Sequence, residues 1–388
     1  MRTSYETPII SRKEFIHIGL NIGGVAVLSA FLNACSGNKS SQETILENTS
    51  SNTTSAPAST VAPSATIQPE QTTPVQPTRT IESTKIQPGD TTQVALVWTN
   101  NRSQGVKTAI ELMDINQFQE KRVFLKPNFN SSDPTPGSTH PDVLRALVLL
   151  LQELGAIGIT VGDRSGMGDT NTVMHNLGVY QMAEEYRFDT LVLNDLPMKD
   201  WVEFQPSGSH WKQGFLVARP CLETDSLIQT CCLKTHAFGG IFTMSLKNTV
   251  GMVAKRHPST GYDYMQELHS SQHQTAMIAE INAAYTPNLI IMDGVEAFIS
   301  GGPAQGEKVA PGIVLAGTDR IAMDAVGVAV LKMFGAYLPG PIFEQKQIAR
   351  AVELKLGVDN PEKINFITGD TESATFANQI RQILLSKE

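Results

Sequence analysis

The sequence contains little cysteine, with 4 cysteines among 388 residues. This number is too small for a scaffold held together by disulfides. Cys35, Cys221 and the neighbours Cys231 and Cys232 also lack the Cys-x-x-Cys spacing of iron–sulfur and structural zinc sites. We therefore expect no iron–sulfur cluster, while a disulfide between Cys221 and either of the adjacent cysteines stays open.

An excess of positive charge is also missing. The chain has 30 Lys and Arg against 38 Asp and Glu, which gives a formal net charge of −8. Proteins that bind nucleic acid usually show a cluster of Lys and Arg for the phosphates, and the body of this chain has no basic run. Nucleic acid is therefore excluded as an expected partner.

Several common catalytic motifs are absent from the sequence. It has no Gly-x-Ser-x-Gly nucleophile elbow, no Walker phosphate-binding loop and no Gly-x-Gly-x-x-Gly segment opening a helix. These absences argue against the common hydrolase, nucleotidase and dinucleotide-binding classes.

The first 34 residues have the pattern of an export signal, because Arg12 and Lys13 precede an apolar stretch. Residues 32–35 read Leu-Asn-Ala-Cys and resemble a bacterial lipobox, in which the chain is cut before the cysteine. We therefore expect residues 1–34 to be a signal peptide and Cys35 to be lipidated. The mature protein would then be anchored at the extracytoplasmic face of the cell membrane.

Two alternatives for this N-terminal segment stay open. A plain transmembrane anchor would need a longer apolar run than the one here, which glycines interrupt. Residues 11–16 resemble the twin-arginine export motif, although Lys13 stands where its second arginine is usual. The sequence does not decide between twin-arginine and general export.

Residues 35–92 consist mainly of Ser, Thr, Pro, Gln and Asn. Such a segment cannot bury enough apolar surface to offset the entropy lost on ordering, which predicts a disordered tether. Residues 93–388 then form one composite folded domain.

Short apolar segments alternate with helical patterns in this domain, which is typical of an α/β fold. We predict a largely parallel sheet with helices on both faces. The predicted strands are residues 94–98, 123–126, 159–162, 190–193, 227–233, 289–292, 313–316 and 364–368.

Three helical segments bear on the site. Residues 140–154 carry one apolar stripe, with Thr139 as the expected N-cap. Residues 320–333 form a second helix capped by Asp319, and Asp324 falls within its apolar stripe. A carboxylate there needs a cation, a metal ion or backbone donors as its partner. A helix over residues 242–250 would place Lys247 on a different face from its apolar residues.

A dense group of polar residues follows the predicted strand at 227–233. It contains Lys234, His236, Lys247 and Asn248, interspersed with glycines. Ammonium groups, an imidazole and glycines that permit close approach suit an anionic ligand. The alternative is that these are solvated surface residues. We predict Lys234, His236 and Lys247 to be catalytic and Asn248 to bind ligand.

Other predicted strands also end in polar residues. Because the carboxyl ends of parallel strands lie at one edge of a sheet, these residues can line a common crevice. Ordinary turn chemistry is the alternative explanation. We predict that Asp163 is catalytic and that ligand contacts come from Lys126, Asn128, Asp293, Gly302 and Asp324.

Three histidines lie in the polar segment that follows, namely His257, His269 and His273. We predict His273 to be a catalytic residue. With Asp163 and Asp293 the histidines could supply metal ligands, but no tight metal-binding motif is present. A metal ion is thus an open alternative, and the cofactor is unknown.

The ordered motifs resemble the domain-of-unknown-function 362 family over residues 94–335. The resemblance is carried by Lys126-Pro127-Asn128, Gly162-Asp163, Lys234-Thr235-His236, Ser245-Leu246-Lys247-Asn248, Asp293-Gly294, Gly302-Pro303, Asp319 and Asp324. It implies no settled activity. Many members carry an iron–sulfur segment whose cysteines this chain lacks. A weaker similarity to nickel-pincer lactate racemases lies in Thr135-Pro136 and in the lysine and histidine after a later strand.

These patterns support three hypotheses: an enzyme acting on a small anionic substrate, a non-catalytic protein that binds an anionic ligand, and a structural polar network. An enzyme predicts a histidine or lysine with a shifted pKa next to a carboxylate. A binding protein predicts lysines without an acid/base pair, and a network predicts side chains that point in different directions.

Overall fold

The computed structural model describes residues 91–239 and 241–387. The predicted signal peptide, Cys35 and nearly all of the predicted tether lie outside the described residues. Within the described part of the chain, no helix has both the length and the apolar character needed to span a membrane.

A ten-stranded mixed sheet forms the centre of the fold, with strand order β12-β1-β11-β9-β7-β2-β3-β4. β8 pairs with β7 and β10 pairs with β9, while β5 and β6 form a separate two-stranded sheet. The strands are β1 (Thr92–Trp98), β2 (Arg122–Lys126), β3 (Gly158–Asp163), β4 (Asp189–Val192), β5 (Trp201–Phe204), β6 (Phe215–Ala218), β7 (Ser226–His236), β8 (Ile241–Phe242), β9 (Leu289–Gly301), β10 (Gly306–Val309), β11 (Ile313–Gly317) and β12 (Ile364–Ile367).

The sheet is mostly parallel, as the alternation of segments predicts. The neighbours β9, β7, β2, β3 and β4 all run in one direction. β11 runs against both β9 and β1, and β12 is parallel to β1. The carboxyl ends of the parallel strands therefore meet at one edge of the sheet.

Helices cover both faces of the sheet, which confirms the predicted fold class. They are α1 (Arg102–Leu112), α2 (Pro141–Glu153), α3 (Thr170–Asn176), α4 (Val179–Tyr186), α5 (Arg219–Leu222), α6 (Ser245–Asn248), α7 (Tyr264–Ser270), α8 (Gln274–Ile281), α9 (Arg320–Met333), α10 (Lys346–Glu353) and α11 (Thr371–Leu384). Alternate residues of β1 face opposite cores. Val94 and Leu96 join the core of α9, α10 and α11, whereas Ala95 and Val97 join that of α1 and α2.

Two of the three predicted helices are present in the structure, one of them with a different N-cap, and the third is wrong. α9 spans residues 320–333 and is capped by Asp319, as expected. α2 is capped by His140 instead of Thr139, because the His140 ring accepts a hydrogen bond from the amide of Asp142. The continuous helix over 242–250 is wrong, since Phe242 pairs with Thr235 in the β8–β7 ladder and α6 begins only at Ser245.

Candidate functional site

Lys126, at the end of β2, is paired with Asp163, at the end of the neighbouring β3. Its Nζ lies 2.7 Å from Asp163 Oδ1, and both side chains are buried. The same ammonium donates to the carbonyl of Pro127 at 2.5 Å and to Asn248 Oδ1 at 3.2 Å. Asp163 also accepts from the amides of Phe129 and Arg164, each at 2.7 Å. The pair is therefore fully satisfied by protein groups.

Asn248 ties α6 to this pair and to β7. Its Nδ2 donates to the carbonyls of Lys126 at 3.4 Å and Thr230 at 3.3 Å. In the 3₁₀ turn that follows α6, a Cβ on Gly251 would lie 2.8 Å from Lys126 Nζ and would press on Asp163. Gly251 therefore permits the close approach of this turn to the ion pair.

Lys234 lies near the end of β7, and its ammonium donates to two buried backbone carbonyls. Its Nζ donates to Gly137 at 2.5 Å and to Pro303 at 3.0 Å. Asn128 donates to the same Gly137 carbonyl at 3.1 Å, so both predicted residues hold the loop between β2 and α2. Burial lowers the pKa of Lys234 to about 8.

Gly302 positions the segment that supplies the second carbonyl to Lys234. Its φ is +76°, and a Cβ there would collide with the carbonyl of Thr235. Its carbonyl accepts from the Ala237 amide at 3.3 Å. The structure thus shows a packing role for Gly302 beside β7.

Lys247 differs from the two buried lysines. Its side chain is half-buried, and among the described residues it has neither a hydrogen bond nor an ion pair to another side chain or to the backbone. Burial, reinforced by the positive charges of Lys234 and Arg164, lowers the pKa of Lys247 to about 7. The ammonium therefore lies in an environment of like charge, and the described part of the chain supplies no partner for it.

Asp324 fixes the short helix that carries Lys247. Its two carboxylate oxygens accept from the amides of Ser245 at 2.7 Å and Leu246 at 3.1 Å. Burial raises the pKa of Asp324 to about 7, against the opposing effect of these two hydrogen bonds. A carboxylate within the apolar stripe of α9 needs partners, and for Asp324 these are the first two amides of α6. Asp324 therefore positions this helix.

His236 is the last residue of β7, and its imidazole ring is neutral. Its Nδ1 accepts from the amide of Phe238 at 3.2 Å, which leaves the proton on Nε2. Burial lowers the pKa of His236 far below its usual range, with further contributions from Lys247 and Lys234. The residue also lines an open pocket of about 350 Å³, together with Ile241 and Tyr337.

Arg164 also lies in the candidate site, and no sequence motif marks it. Its guanidinium is buried and donates to the carbonyls of Val253, at 2.9 Å, and Val250. Burial lowers the pKa of Arg164 to about 10. Its position directly after Asp163, at the end of β3, is the sequence feature that could have identified it. We call Arg164, Lys234 and Lys247 the cationic cluster.

Asp293 has a different cation as its partner. Its Oδ2 lies 2.8 Å from Arg102 Nε, and Glu296 binds the same guanidinium at 3.0 Å. Asp293 Oδ1 accepts from the Val295 amide at 3.0 Å. The structure thus pairs Asp293 with a residue of α1 instead of with a lysine of the cluster.

His273 makes its ring contacts in another group of side chains. It stacks on His210 with ring centroids 4.4 Å apart, and His210 binds the buried Glu280 at 2.6 Å. In the described part of the chain, no three His, Cys, Asp or Glu side chains are grouped so as to hold a metal ion. Cys221, Cys231 and Cys232 are buried free thiols.

A family model described as a domain of unknown function (DUF362) matches residues 123–329, just over half of the chain. The chain belongs to the DUF362 family. The matched DUF362 segment contains the whole cationic cluster, with His236 and Asp324, whereas Arg102 lies outside it.

Two examples show what this DUF362 chain is similar to. The thylakoid-associated protein sll1697 of Synechocystis sp. is 26% identical over 252 residues, which cover 63% of this chain and 74% of that protein. The lactate racemase apoprotein of Thermoanaerobacterium thermosaccharolyticum matches with a TM-score of 0.37 and 14% identity over 59% of this chain. The match spans only 54% of the racemase chain.

Proposed function

We propose that this DUF362 protein binds a small anionic ligand at the cationic cluster, with Lys247 as the principal contact. The observation that carries the proposal is that Lys247 has no partner among the described residues while Lys234 and Arg164 act on its charge. A charge held out of water is costly unless it is paired. A bound carboxylate or phosphate would supply the missing partner.

Neighbouring groups can complete such a site. Lys234 uses two of its three N–H groups on carbonyls, so the third remains for a ligand. Neutral His236 has its Nε2–H as a donor, and Arg164 adds positive charge while its guanidinium is held by the backbone. Anions bind more strongly to such groups than neutral molecules do.

The contacts favour ligand binding over acid–base catalysis by a lysine and a carboxylate. Asp163 is saturated by Lys126 and backbone amides, and His273 makes its ring contacts with His210 and Gln272. The catalytic assignment of these two residues stays a prediction without support from the geometry. Lys234, His236 and Lys247 form the proposed site.

Isothermal titration of the full-length chain with oxalate tests this function. We expect one oxalate per chain, weak or absent binding of uncharged oxamide, and no binding by Lys247→Met. Lys107→Met is the matched control, because Lys107 is an exposed lysine of α1. Unchanged oxalate affinity in Lys247→Met would refute the proposed site.

We also propose that the protein is exported and held at the extracytoplasmic face of the membrane by lipid on Cys35. The support is the sequence Leu-Asn-Ala-Cys after an apolar stretch. Labelling cells with a fatty acid analogue should mark the wild-type protein in the membrane fraction. Cys35→Ala should lose the label, and a labelled Cys35→Ala chain would contradict the proposal.

A further inference from the structure

We infer that Lys247 is an amine nucleophile that forms a Schiff base with a small carbonyl compound carrying a negative charge. The inference rests on the proposed anion site and adds a covalent step to it. The substrate class is an aldehyde or ketone with a carboxylate close to the carbonyl carbon, such as a 2-oxo acid.

The residues on both sides of Lys247 are anchored. Before it, the Leu246 amide donates to Asp324, and the Leu246 carbonyl accepts from Asn282 Nδ2 at 3.0 Å. After it, the Asn248 side chain accepts a hydrogen bond from Lys126 Nζ and donates one to the carbonyl of Thr230. Lys247 is therefore presented from a fixed position, although its own side chain has no partner among the described residues. Reactive groups act best when rigid elements hold them.

The side-chain nitrogens of the other lysines in this region already make hydrogen bonds or an ion pair. Lys126 uses its ammonium on Asp163, Pro127 and Asn248. Lys234 donates to two buried carbonyls. A lysine attacks a carbonyl carbon only through the lone pair of the neutral amine, which neighbouring cations and loss of water favour. Burial and the positive charges of Lys234 and Arg164 provide this condition for Lys247.

The step is balanced without a further reactant. The nitrogen lone pair of Lys247 attacks the carbonyl carbon and forms a C–N bond. The C–O bond then breaks, and the carbonyl oxygen leaves as water with the two protons of the amine. The substrate carboxylate is attracted by Lys234 and Arg164, which stay charged when Lys247 is neutral.

Reductive trapping on the full-length chain tests the inference. The protein is mixed with glyoxylate, reduced with borohydride, digested and mapped by mass spectrometry. We expect labelling of Lys247 at least about tenfold faster than that of exposed Lys107. Labelling should rise to a plateau near neutral pH, because burial and the neighbouring cations lower the pKa of Lys247 to about 7. Propanal, a neutral aldehyde, should show no such preference.

The controls separate this inference from the anion site. Lys247→Arg keeps a positive charge and should lose the adduct. If oxalate binds to the wild-type chain but glyoxylate labels Lys247 no faster than Lys107, the Schiff base is refuted and the anion site stands. If oxalate does not bind either, both proposals fail. Equal labelling of Lys247 by propanal would refute the role of the substrate charge.

Discussion

Lys126 Nζ lies 2.7 Å from Asp163 Oδ1, and this ion pair joins the buried carboxyl ends of two adjacent strands. Asn248 accepts a hydrogen bond from Lys126 and so links the ion pair to α6. In the same helix, Lys247 has no partner among the described residues. The edge of the sheet therefore holds one lysine in a buried ion pair, and near it lies another that has no partner among the described residues.

Lys126→Met should destabilise the protein by about 3–5 kcal/mol, because it leaves the buried carboxylate of Asp163 without its cation. Denaturant unfolding of the ligand-free chain measures this loss. The double variant Lys126→Met/Asp163→Asn should recover about 1–2 kcal/mol relative to the single variant. Additive effects of the two substitutions would show that the pair does not contribute as a unit.

Gly251→Ala should destabilise the protein by about 1–3 kcal/mol, because the new methyl group would be forced against the Lys126–Asp163 pair. Gly158→Ala is the matched control, since a Cβ at that position in β3 has no atom within 4 Å. Thermal unfolding compares the two variants. A loss of stability in both or in neither would contradict the close approach described for Gly251.

Asp324→Ala should cost about 2–4 kcal/mol, since it removes the acceptor of the Ser245 and Leu246 amides. The effect should depend on pH. Burial raises the pKa of Asp324 to about 7 in the folded chain, so the folded state holds this proton more tightly than the unfolded state. The advantage of wild type over Asp324→Asn should be largest below about pH 4 and should shrink as the pH rises through about 7. Unfolding at several pH values checks the sign, and an advantage that grows with pH would contradict it.

Oxalate affinity should fall as the pH rises. Burial and like charges lower the pKa of Lys247 to about 7, and burial lowers that of Lys234 to about 8. Because oxalate needs the ammonium forms, affinity should drop by about tenfold per pH unit between about pH 7 and 8, where only Lys247 loses its proton, and more steeply above about pH 8, where Lys234 does so too. Titration calorimetry at constant ionic strength measures this slope. A flat profile between neutral and alkaline pH would assign the binding to a group that stays charged, such as Arg164.

The sequence was sufficient to predict the main sheet because its strands are buried apolar runs. All eight predicted strands correspond to β1, β2, β3, β4, β7, β9, β11 and β12. The strands that were not predicted, β5, β6, β8 and β10, are short, with two to four residues each. The turn from β8 into α6 was also missed, because Asp324 decides where this helix begins and lies far along the chain.

The candidate site was predicted only in part. Lys234, His236 and Lys247 come together as expected, although β7 extends through Lys234 and His236 and does not end at residue 233, and Lys247 lies in α6. Lys126 and Asp163 show the limit, because the same strand-end position serves a ligand site or a structural ion pair. The choice depends on partners such as Asn248, 122 residues away from Lys126. Asp293 is paired with Arg102, which no motif marks.

The central claim is that the Lys247 ammonium has no partner among the described residues, and unfolding of Lys247→Met with and without oxalate tests it most directly. Without oxalate, we expect the variant to be about 1 kcal/mol more stable than wild type, since it removes a half-buried charge that no described residue pairs. At an oxalate concentration 100 times the dissociation constant, wild type should gain about 2.7 kcal/mol and the variant nothing. If the variant is less stable without oxalate, or gains as much from oxalate as wild type, Lys247 is not the ligand-binding cation.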